Sequence, residues 1–275
     1  MLRTRLIIGS LLALVAGVVL IADESFAPIF PGLLAIALSV GLLGTRELRL
    51  LIPTENRPRL GLCLLGIVAV IGANWLPAIV TVPPWEPVIA AVAGFVLAAF
   101  CLEMWTYRGP GGNTARIASA ILIVAYLGIL PTFFVKLRWL PQHAGVALAL
   151  AIFVPKCGDI GAYFTGKLLG RTPFSPLLSP KKTWEGIAGG TVTAMMTAIG
   201  LGSVVPIFAG GILEAAAFGL VVGWVGVLGD LAESMVKREV QAKDASASVP
   251  GFGGVLDVID SVIFAAPVVY WWLAR

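Results

Sequence analysis

Residues 87–105 read PVIAAVAGFVLAAFCLEMW, an apolar run that contains a single charged side chain, Glu103. With the helical rise of about 1.5 Å per residue, a run of this length crosses the bilayer's apolar core of roughly 30 Å. A segment inside a membrane must satisfy its own backbone hydrogen bonds, so a helix is expected. The run therefore predicts a transmembrane helix.

The rest of the 275 residues repeats this pattern, with 59% hydrophobic and only 12% charged residues. A soluble domain carries about 25% charged residues. The three cysteines lie far apart without CxxC spacing, which argues against a metal or redox pair. We expect an all-α polytopic integral membrane protein of about nine transmembrane helices, forming one membrane domain over 1–275. Helices of 1–150 would be a lipid-facing scaffold, and helices of 151–275 would carry the polar site. The eight further segments lie near 6–22, 28–45, 60–81, 116–135, 144–163, 187–208, 212–230 and 256–273.

The distribution of positive charge predicts the topology. If the N-terminus is cytoplasmic, fifteen Lys and Arg residues fall in inside segments and three fall outside, as the positive-inside rule requires. The loops around Arg57, Lys181 and Lys243 are then cytoplasmic, and those around Asp23 and Arg138 are external. A cleaved signal peptide is the alternative for the first segment, but no small-residue cleavage site precedes Asp23. In a membrane protein the distribution of the charge matters more than its net value of +4, so no nucleic-acid partner is expected.

Polar side chains gather in two predicted cytoplasmic segments, of which the first is roughly 156–190. Ionisable groups in or beside a membrane helix are costly unless they pair or serve a function. Lys156 and Asp159, three residues apart, also fit a structural pair on a helix surface. The run from Ser179 to Gly186 reads SPKKTWEG, and Ser before Pro predicts a helix start with Lys181 and Lys182 in the first turn. Such lysines suit a phosphate, or equally the headgroups of lipids.

The second segment, roughly 230–260, first places a stripe of polar residues on one helix face. Asp230, Ser234, Lys237 and Arg238 are spaced i, i+4, i+7 and i+8. A carboxylate, a hydroxyl and two cations suit a metal ion and a polyphosphate. The alternative is a solvated face whose charges neutralise one another.

The second segment ends in a glycine-rich turn, PGFGG at 250–254, followed by Asp257 and Asp260 where the ninth helix begins. Glycines and a helix N-terminus let backbone N–H groups approach an anion. Two carboxylates three residues apart repel each other unless a cation binds, and Mg²⁺ takes one or two carboxylates together with phosphate oxygens. Aspartates that cap the helix are the structural alternative.

At these residues the sequence resembles the phosphatidate cytidylyltransferase family. The resemblance lies in Ser234-Met235-Val236-Lys237-Arg238, Lys243-Asp244 and the run from Pro250 to Asp260, with DIGAY at 159–163, SPKKTWEG at 179–186 and GDL at 229–231. It covers roughly residues 155–265. Three positions depart from the pattern: Phe252 stands where the family usually has His, Val258 where it has Arg, and Val249 where it has Leu, Ile or Phe. The single histidine, His143, is predicted to lie outside.

The resemblance implies transfer of a cytidylyl group from CTP to phosphatidic acid in a lipid bilayer, giving CDP-diacylglycerol and pyrophosphate. It implies Mg²⁺ or another divalent cation, with room for a second cation, held by Asp230, Asp257 and Asp260. It also implies a homodimer. Together with the charge distribution, it leads us to expect a protein of the bacterial inner membrane with the active site on the cytoplasmic face. The implied catalytic residues are Asp230, Ser234, Lys237, Asp257 and Asp260, and the implied substrate-binding residues are Asp159, Ser179, Lys181, Lys182, Thr183, Arg238, Lys243, Asp244, Gly253 and Gly254.

Two alternatives stay open from the sequence. A related CTP-dependent lipid enzyme, such as a polyprenol or phytol kinase or an archaeal-lipid cytidylyltransferase, would use a similar polar site. A small-solute transporter would also place charges within the membrane, but it predicts polar groups on both sides of the midplane. Here they are concentrated on one side.

Overall fold

The computed structural model describes residues 9, 11, 14, 15 and 17–275, and it forms two compact units. The N-terminal unit comprises Met1–Val135 and Glu239–Val258, and the C-terminal unit comprises Lys136–Arg238 and Ile259–Arg275. Helices joined by loops make up most of the described part of the chain, and its two strands form one small β-hairpin, which confirms the predicted all-α membrane fold.

The helices follow the predicted apolar segments, with ends shifted by up to nine residues. A π-helical turn, Ala125–Ile129, joins α4 to α5 in one continuous helical stretch. The elements are α1 (Pro31–Leu50), α2 (Leu60–Ala73), α3 (Glu86–Trp105), α4 (Asn113–Val124), α5 (Leu130–Lys136), α6 (Ala144–Leu169), β1 (Pro173–Ser175), β2 (Ser179–Thr183), α7 (Trp184–Gly202), α8 (Gly211–Glu239) and α9 (Leu256–Leu273).

Six stretches in the described part of the chain are long and apolar enough to cross a membrane. The count of nine therefore stays a prediction, and seven of the seventeen residues of the predicted first segment, 6–22, lie outside the described residues. The six stretches are Leu60–Ala78, Glu86–Trp105, Asn113–Trp139, Ala144–Leu169, Gly211–Glu239 and Leu256–Leu273.

The N-terminal unit packs its helices closely at small residues. A Cβ on Gly41 would lie 2.7 Å from Ile67, and one on Gly66 would lie 2.5 Å from Phe95, so both positions require glycine or a shift of the neighbour. Close approach at small residues is the usual way in which membrane helices associate, since lipid gives no hydrophobic drive between them.

The C-terminal unit brings its polar helices together by the same means. In α8, a Cβ on Gly226 would lie 2.9 Å from Pro155 of α6, and one on Gly229 would lie 2.6 Å from the carbonyl oxygen of Asp260 in α9. The backbone of α8 therefore lies directly against α6 and α9 in the turn that precedes Asp230. This packing places Asp230 next to the helix turn that carries Asp260.

The hairpin corrects the predicted start of the helix after residue 179. Residues 179–183 form β2, which pairs antiparallel with β1, and the helix begins only at Trp184. The side chain of Thr183 is the N-cap, because its hydroxyl accepts a hydrogen bond from the N–H of Gly186 at 3.1 Å. A threonine in extended conformation is a favourable N-cap, and here it takes the place that the Ser-Pro pair was expected to fill. Lys181 and Lys182 therefore lie in a strand.

Candidate active site

In the C-terminal unit, Lys156 of α6 joins two carboxylates. Its Nζ lies 3.5 Å from Oδ2 of Asp159 and 3.1 Å from Oδ1 of Asp260. Asp260 lies in α9, 104 residues after Lys156 in the sequence. Ser261 adds a second link, because its hydroxyl donates to Asp159 at 3.0 Å. The pair Lys156–Asp159 is thus the local pair expected for a helix surface, and at the same time part of a contact between α6 and α9.

Asp230 of α8 completes a group of three carboxylates, hereafter the carboxylate cluster (Asp159, Asp230 and Asp260). Gly229, the residue before Asp230, packs against the backbone of Asp260, and Asp159 and Asp260 share the ammonium group of Lys156. Lys182 of β2 lies 2.6 Å from Asp230, and the hydroxyl of Ser234 lies 3.4 Å from it. Five of the predicted site residues are therefore brought together, along with Lys156, which the sequence-based site did not include.

The two cations at the end of α8 face different surroundings. Lys237 is buried and its Nζ lies 2.9 Å from Glu233 one turn earlier, while Nε of Arg238 donates to the carbonyl oxygen of Leu178 at 3.4 Å. Buried charges of this kind are stable only when they are paired. Binding of CTP phosphates by these two residues stays a prediction. It would require Lys237 to leave Glu233 or to donate to Glu233 and to a phosphate at the same time.

Glu185 ties the hairpin to the start of α7. Its carboxylate accepts hydrogen bonds from the N–H groups of Arg171 and Thr172 and from the Thr172 hydroxyl, at 2.9–3.2 Å. The carboxylate also interacts with the N–H of Glu185 itself. This interaction, followed by the bonds from Arg171 and Thr172, stabilises the charged form and lowers the pKa of Glu185 to about 2. The strand that carries the predicted phosphate-binding residues Ser179, Lys181 and Lys182 is thereby fixed at one end.

In the N-terminal unit, the glycine-rich segment forms a closed turn. Phe252 N–H donates to the carbonyl of Val249 across Pro250 and Gly251, and Gly251 has φ +86°, the pattern of a type II turn. A bridge between Val249 and Gly253, with N···O distances of 2.7 and 3.0 Å, closes it. Gly253 has φ +110°, where side chains other than glycine are strained. Gly251 and Gly253 thus provide the backbone conformations that the turn requires. The side chain of Phe252 in this turn is half-buried.

Asp257 lies in the first turn of α9 and acts as a cap within the same unit. Its Oδ2 accepts from the N–H of Gly254 at 2.7 Å and from the N–H of Ala245 at 2.9 Å. The structural role that the sequence left open for this aspartate is therefore present. A role as metal ligand stays a prediction, as do substrate contacts of Lys243 and Asp244, both exposed in the connection between α8 and the turn.

Glu47 of α1 is a functional candidate that sequence reasoning missed. Only 4% of this residue is exposed, and its carboxylate accepts hydrogen bonds from the N–H groups of Val255 and Leu256 at 3.1 and 2.9 Å. The hydroxyls of Ser246 and Ser248 donate to it at 2.6 Å each. The sequence placed the end of the second apolar segment at residue 45, which left Glu47 in a loop. Its position in the last turns of a helix rich in apolar residues was the available signal.

The carboxylate cluster fits a hard divalent cation by the chemistry of its donors. Mg²⁺ prefers carboxylate oxygens and usually takes one or two of them, with the remaining ligands supplied by water and phosphate. Within the described residues, no group of three or more His, Cys, Asp or Glu side chains is arranged to hold a metal ion by itself. A cation at Asp230 and Asp260 would therefore need oxygen ligands from a bound phosphate or from water, and it would share the carboxylates with Lys182 and Lys156.

Comparison with known proteins gives end-to-end similarity. The chain matches the cytidylyltransferase family over residues 3–274. It is 33% identical to a phosphatidate cytidylyltransferase of Helicobacter pylori (strain ATCC 700392 / 26695), over 96% of this chain and 89% of the relative. It is 38% identical to the phosphatidate cytidylyltransferases of Bacillus subtilis (strain 168), over 56% of each chain, and of Pseudomonas aeruginosa, over 58% of this chain and 57% of the relative.

Proposed function

The chain belongs to the cytidylyltransferase family, and we infer from this that it is a nucleotidyltransferase that converts CTP and phosphatidic acid into CDP-diacylglycerol and pyrophosphate. The observation that carries the inference is the similarity to a phosphatidate cytidylyltransferase across 96% of the chain. The relatives do not favour the alternative of a lipid kinase. The six long apolar stretches found among the described residues suit an integral membrane enzyme whose lipid substrate stays in the bilayer.

The reaction joins a phosphate oxygen of phosphatidic acid to the α-phosphorus of CTP. The bond between the α-phosphorus and the oxygen that bridges to the β-phosphate breaks, and pyrophosphate leaves. A phosphomonoester has its second pKa near 6, so the attacking oxygen is already an anion near neutral pH. A general base is therefore not required, which agrees with a chain whose single histidine, His143, precedes the first turn of α6, whereas Asp159 lies in the second half of that helix.

The work of the protein in such a transfer is positioning and neutralisation of charge. We assign Lys182 and Lys181 to phosphate oxygens of the substrates, with Ser179 and Thr183 beside them on β2. Lys182 reaches Asp230 at 2.6 Å, so a phosphate bound by Lys182 lies next to the carboxylate cluster. Lys237, Arg238 and Lys243 are assigned to the triphosphate, because they end or follow α8 downstream of Asp230 and Ser234.

Mg²⁺ or another divalent cation, with a second cation as an addition, would be held by Asp230 and Asp260 and would supply neutralisation of phosphate charge when bound. We keep Asp257 as a further ligand in this proposal. The carboxylates are available for it only if Lys156 and Lys182 turn toward substrate phosphate. In the absence of substrate, Lys156 lies between Asp159 and Asp260 and reduces the repulsion between their charges.

We also propose that the enzyme acts as a homodimer in the bacterial inner membrane, with its N-terminus and active site on the cytoplasmic side, and that it binds no nucleic acid. CTP is a cytoplasmic nucleotide, so an active site that uses it must open to that side. In this orientation fifteen Lys and Arg residues would lie on the cytoplasmic side and three outside, which the positive-inside rule favours.

The proposed function is tested by incubating the purified full-length protein with CTP labelled on the α-phosphate, phosphatidic acid vesicles and Mg²⁺. We expect labelled CDP-diacylglycerol and an equal amount of pyrophosphate. Release of CDP together with a phosphorylated lipid would instead identify a kinase. Omission of phosphatidic acid is the control, and it should leave CTP intact.

A further inference from the structure

Glu47 is held by the glycine-rich segment through both oxygens of its carboxylate. Oε1 accepts from the hydroxyls of Ser246 and Ser248 and from the N–H of Val255, and Oε2 accepts from the N–H of Leu256. Gly254 lies directly against it, since a Cβ at that position would come within 2.6 Å of Oε2. All of these residues belong to the N-terminal unit.

The contacts link positions that are about 200 residues apart in sequence. Without them, the segment from Ser246 to Val255 would be held mainly by its own short turn, by Asp257 and by the buried side chain of Leu256 that follows it. Most residues of the segment are small or polar and bury little apolar surface. The carboxylate also lies where the partial positive charge of the α9 N-terminus is strongest. It thus occupies the backbone N–H groups that a substrate anion would otherwise meet there.

We propose that Glu47 is a positioning residue of the transferase reaction: its carboxylate fixes the Ser246–Leu256 segment and the first turn of α9, and thereby the orientation of Asp257. The proposal rests on the proposed function only where it concerns turnover. The fixing of the segment is a separate claim that can be measured without any substrate. Asp257 accepts from Gly254, the residue before the two that Glu47 binds, so release of Val255 and Leu256 would release its partner as well.

A glutamine in place of Glu47 cannot reproduce this arrangement. One oxygen of Glu47 accepts a backbone N–H from Val255 and the other accepts one from Leu256. The amide of glutamine has one oxygen and one NH₂ group, and NH₂ cannot accept from an N–H. Either orientation of the glutamine amide would therefore leave one of the two backbone donors without its partner, in a buried place where that is costly. The side chain keeps its size, so the substitution tests the hydrogen bonds.

The experiment compares Glu47→Gln with wild type in the purified full-length protein. Hydrogen exchange is followed in peptides that cover 245–256, without substrate, and kcat and KM for CTP are measured separately. We expect exchange in 245–256 to become about tenfold faster, with exchange in α6 unchanged, and kcat to fall about tenfold or more, in line with a lost charge-assisted hydrogen bond. A structural role alone would lower the melting temperature and leave kcat per folded molecule unaltered.

Glu103→Gln is the matched control, because Glu103 is also a poorly exposed carboxylate of the N-terminal unit, paired with Arg116 at 3.0 Å. It should leave both the exchange in 245–256 and kcat within about twofold of wild type. Unchanged exchange in Glu47→Gln would overturn the fixing of the segment, and faster exchange with unaltered kcat and KM would overturn its role in the reaction.

A second variant covers the case in which Glu47→Gln does not fold. The variant Ser248→Ala keeps the carboxylate and the Ser246 hydroxyl, which accepts from the N–H of Ser248, and removes one donor to Glu47. It should therefore speed exchange in 245–256 about threefold. No change in that variant would refute the proposal. A wild-type protein without transferase activity would refute the proposed function. The exchange measurement would still test whether Glu47 fixes the Ser246–Leu256 segment.

Discussion

At the scale of the residue, Asp257 has a structural role in the fold and a proposed second role as a cation ligand. Its Oδ2 accepts both of the backbone N–H groups described above, from Gly254 and Ala245. In Asp257→Asn the amide oxygen can take the place of Oδ2 and accept both bonds, so the fold should be kept. If Asp257 binds the cation, the lost charge should lower kcat about 100-fold or more. Turnover assays across a range of Mg²⁺ concentrations, with melting curves of the same preparations, check this.

Asp23→Asn provides the control for that prediction. Asp23 also caps a helix start, but its two oxygens each accept one N–H, from Gly32 and Leu33, at 2.8 Å. An asparagine there must lose one of the two bonds, so we expect a lower melting temperature with kcat close to wild type. Asp257→Asn should behave in the opposite way. An Asp257→Asn enzyme that turned over CTP within a few-fold of wild type would remove Asp257 from the cation site.

At the scale of the element, the hairpin gives its two lysines different roles. Successive side chains of a strand point to opposite faces. Lys182 pairs with Asp230 at 2.6 Å, whereas Lys181 is exposed. We expect Lys182→Met to lower kcat/KM about tenfold or more beyond the loss caused by Lys181→Met, because Lys182 is the one of the two that contacts the carboxylate cluster. Equal losses would instead favour two lysines side by side, as in the first turn of a helix. Steady-state kinetics with both substrates varied decide between the two.

At the scale of the whole molecule, the topology is open to direct test. In a variant whose three cysteines are replaced by alanine, single cysteines are introduced at Lys181 and at Gln142, both exposed. Arg138 would be a poor probe of the external loop, because only 4% of it is exposed. We expect a membrane-impermeant maleimide to label Gln142→Cys in intact cells and to label Lys181→Cys only after permeabilisation. The reverse pattern would place the candidate active site on the external side.

The sequence by itself determined the class of the protein and the identity of most polar residues in its candidate site. Long apolar runs admit only helices in a membrane, and costly charges such as Asp230 and Asp260 stand out against them. The start of α7 was predicted wrongly because Ser-Pro and Thr183 both offer a helix start, and only the pairing of β2 with β1 selects Thr183. Contacts between distant residues lie beyond local pattern: nothing near Lys156 in the chain announces Asp260, and nothing near Glu47 announces Leu256. Tertiary structure decided these, because packing at glycines sets which helices touch, and a buried charge must then take whichever partner that packing brings within hydrogen-bonding distance.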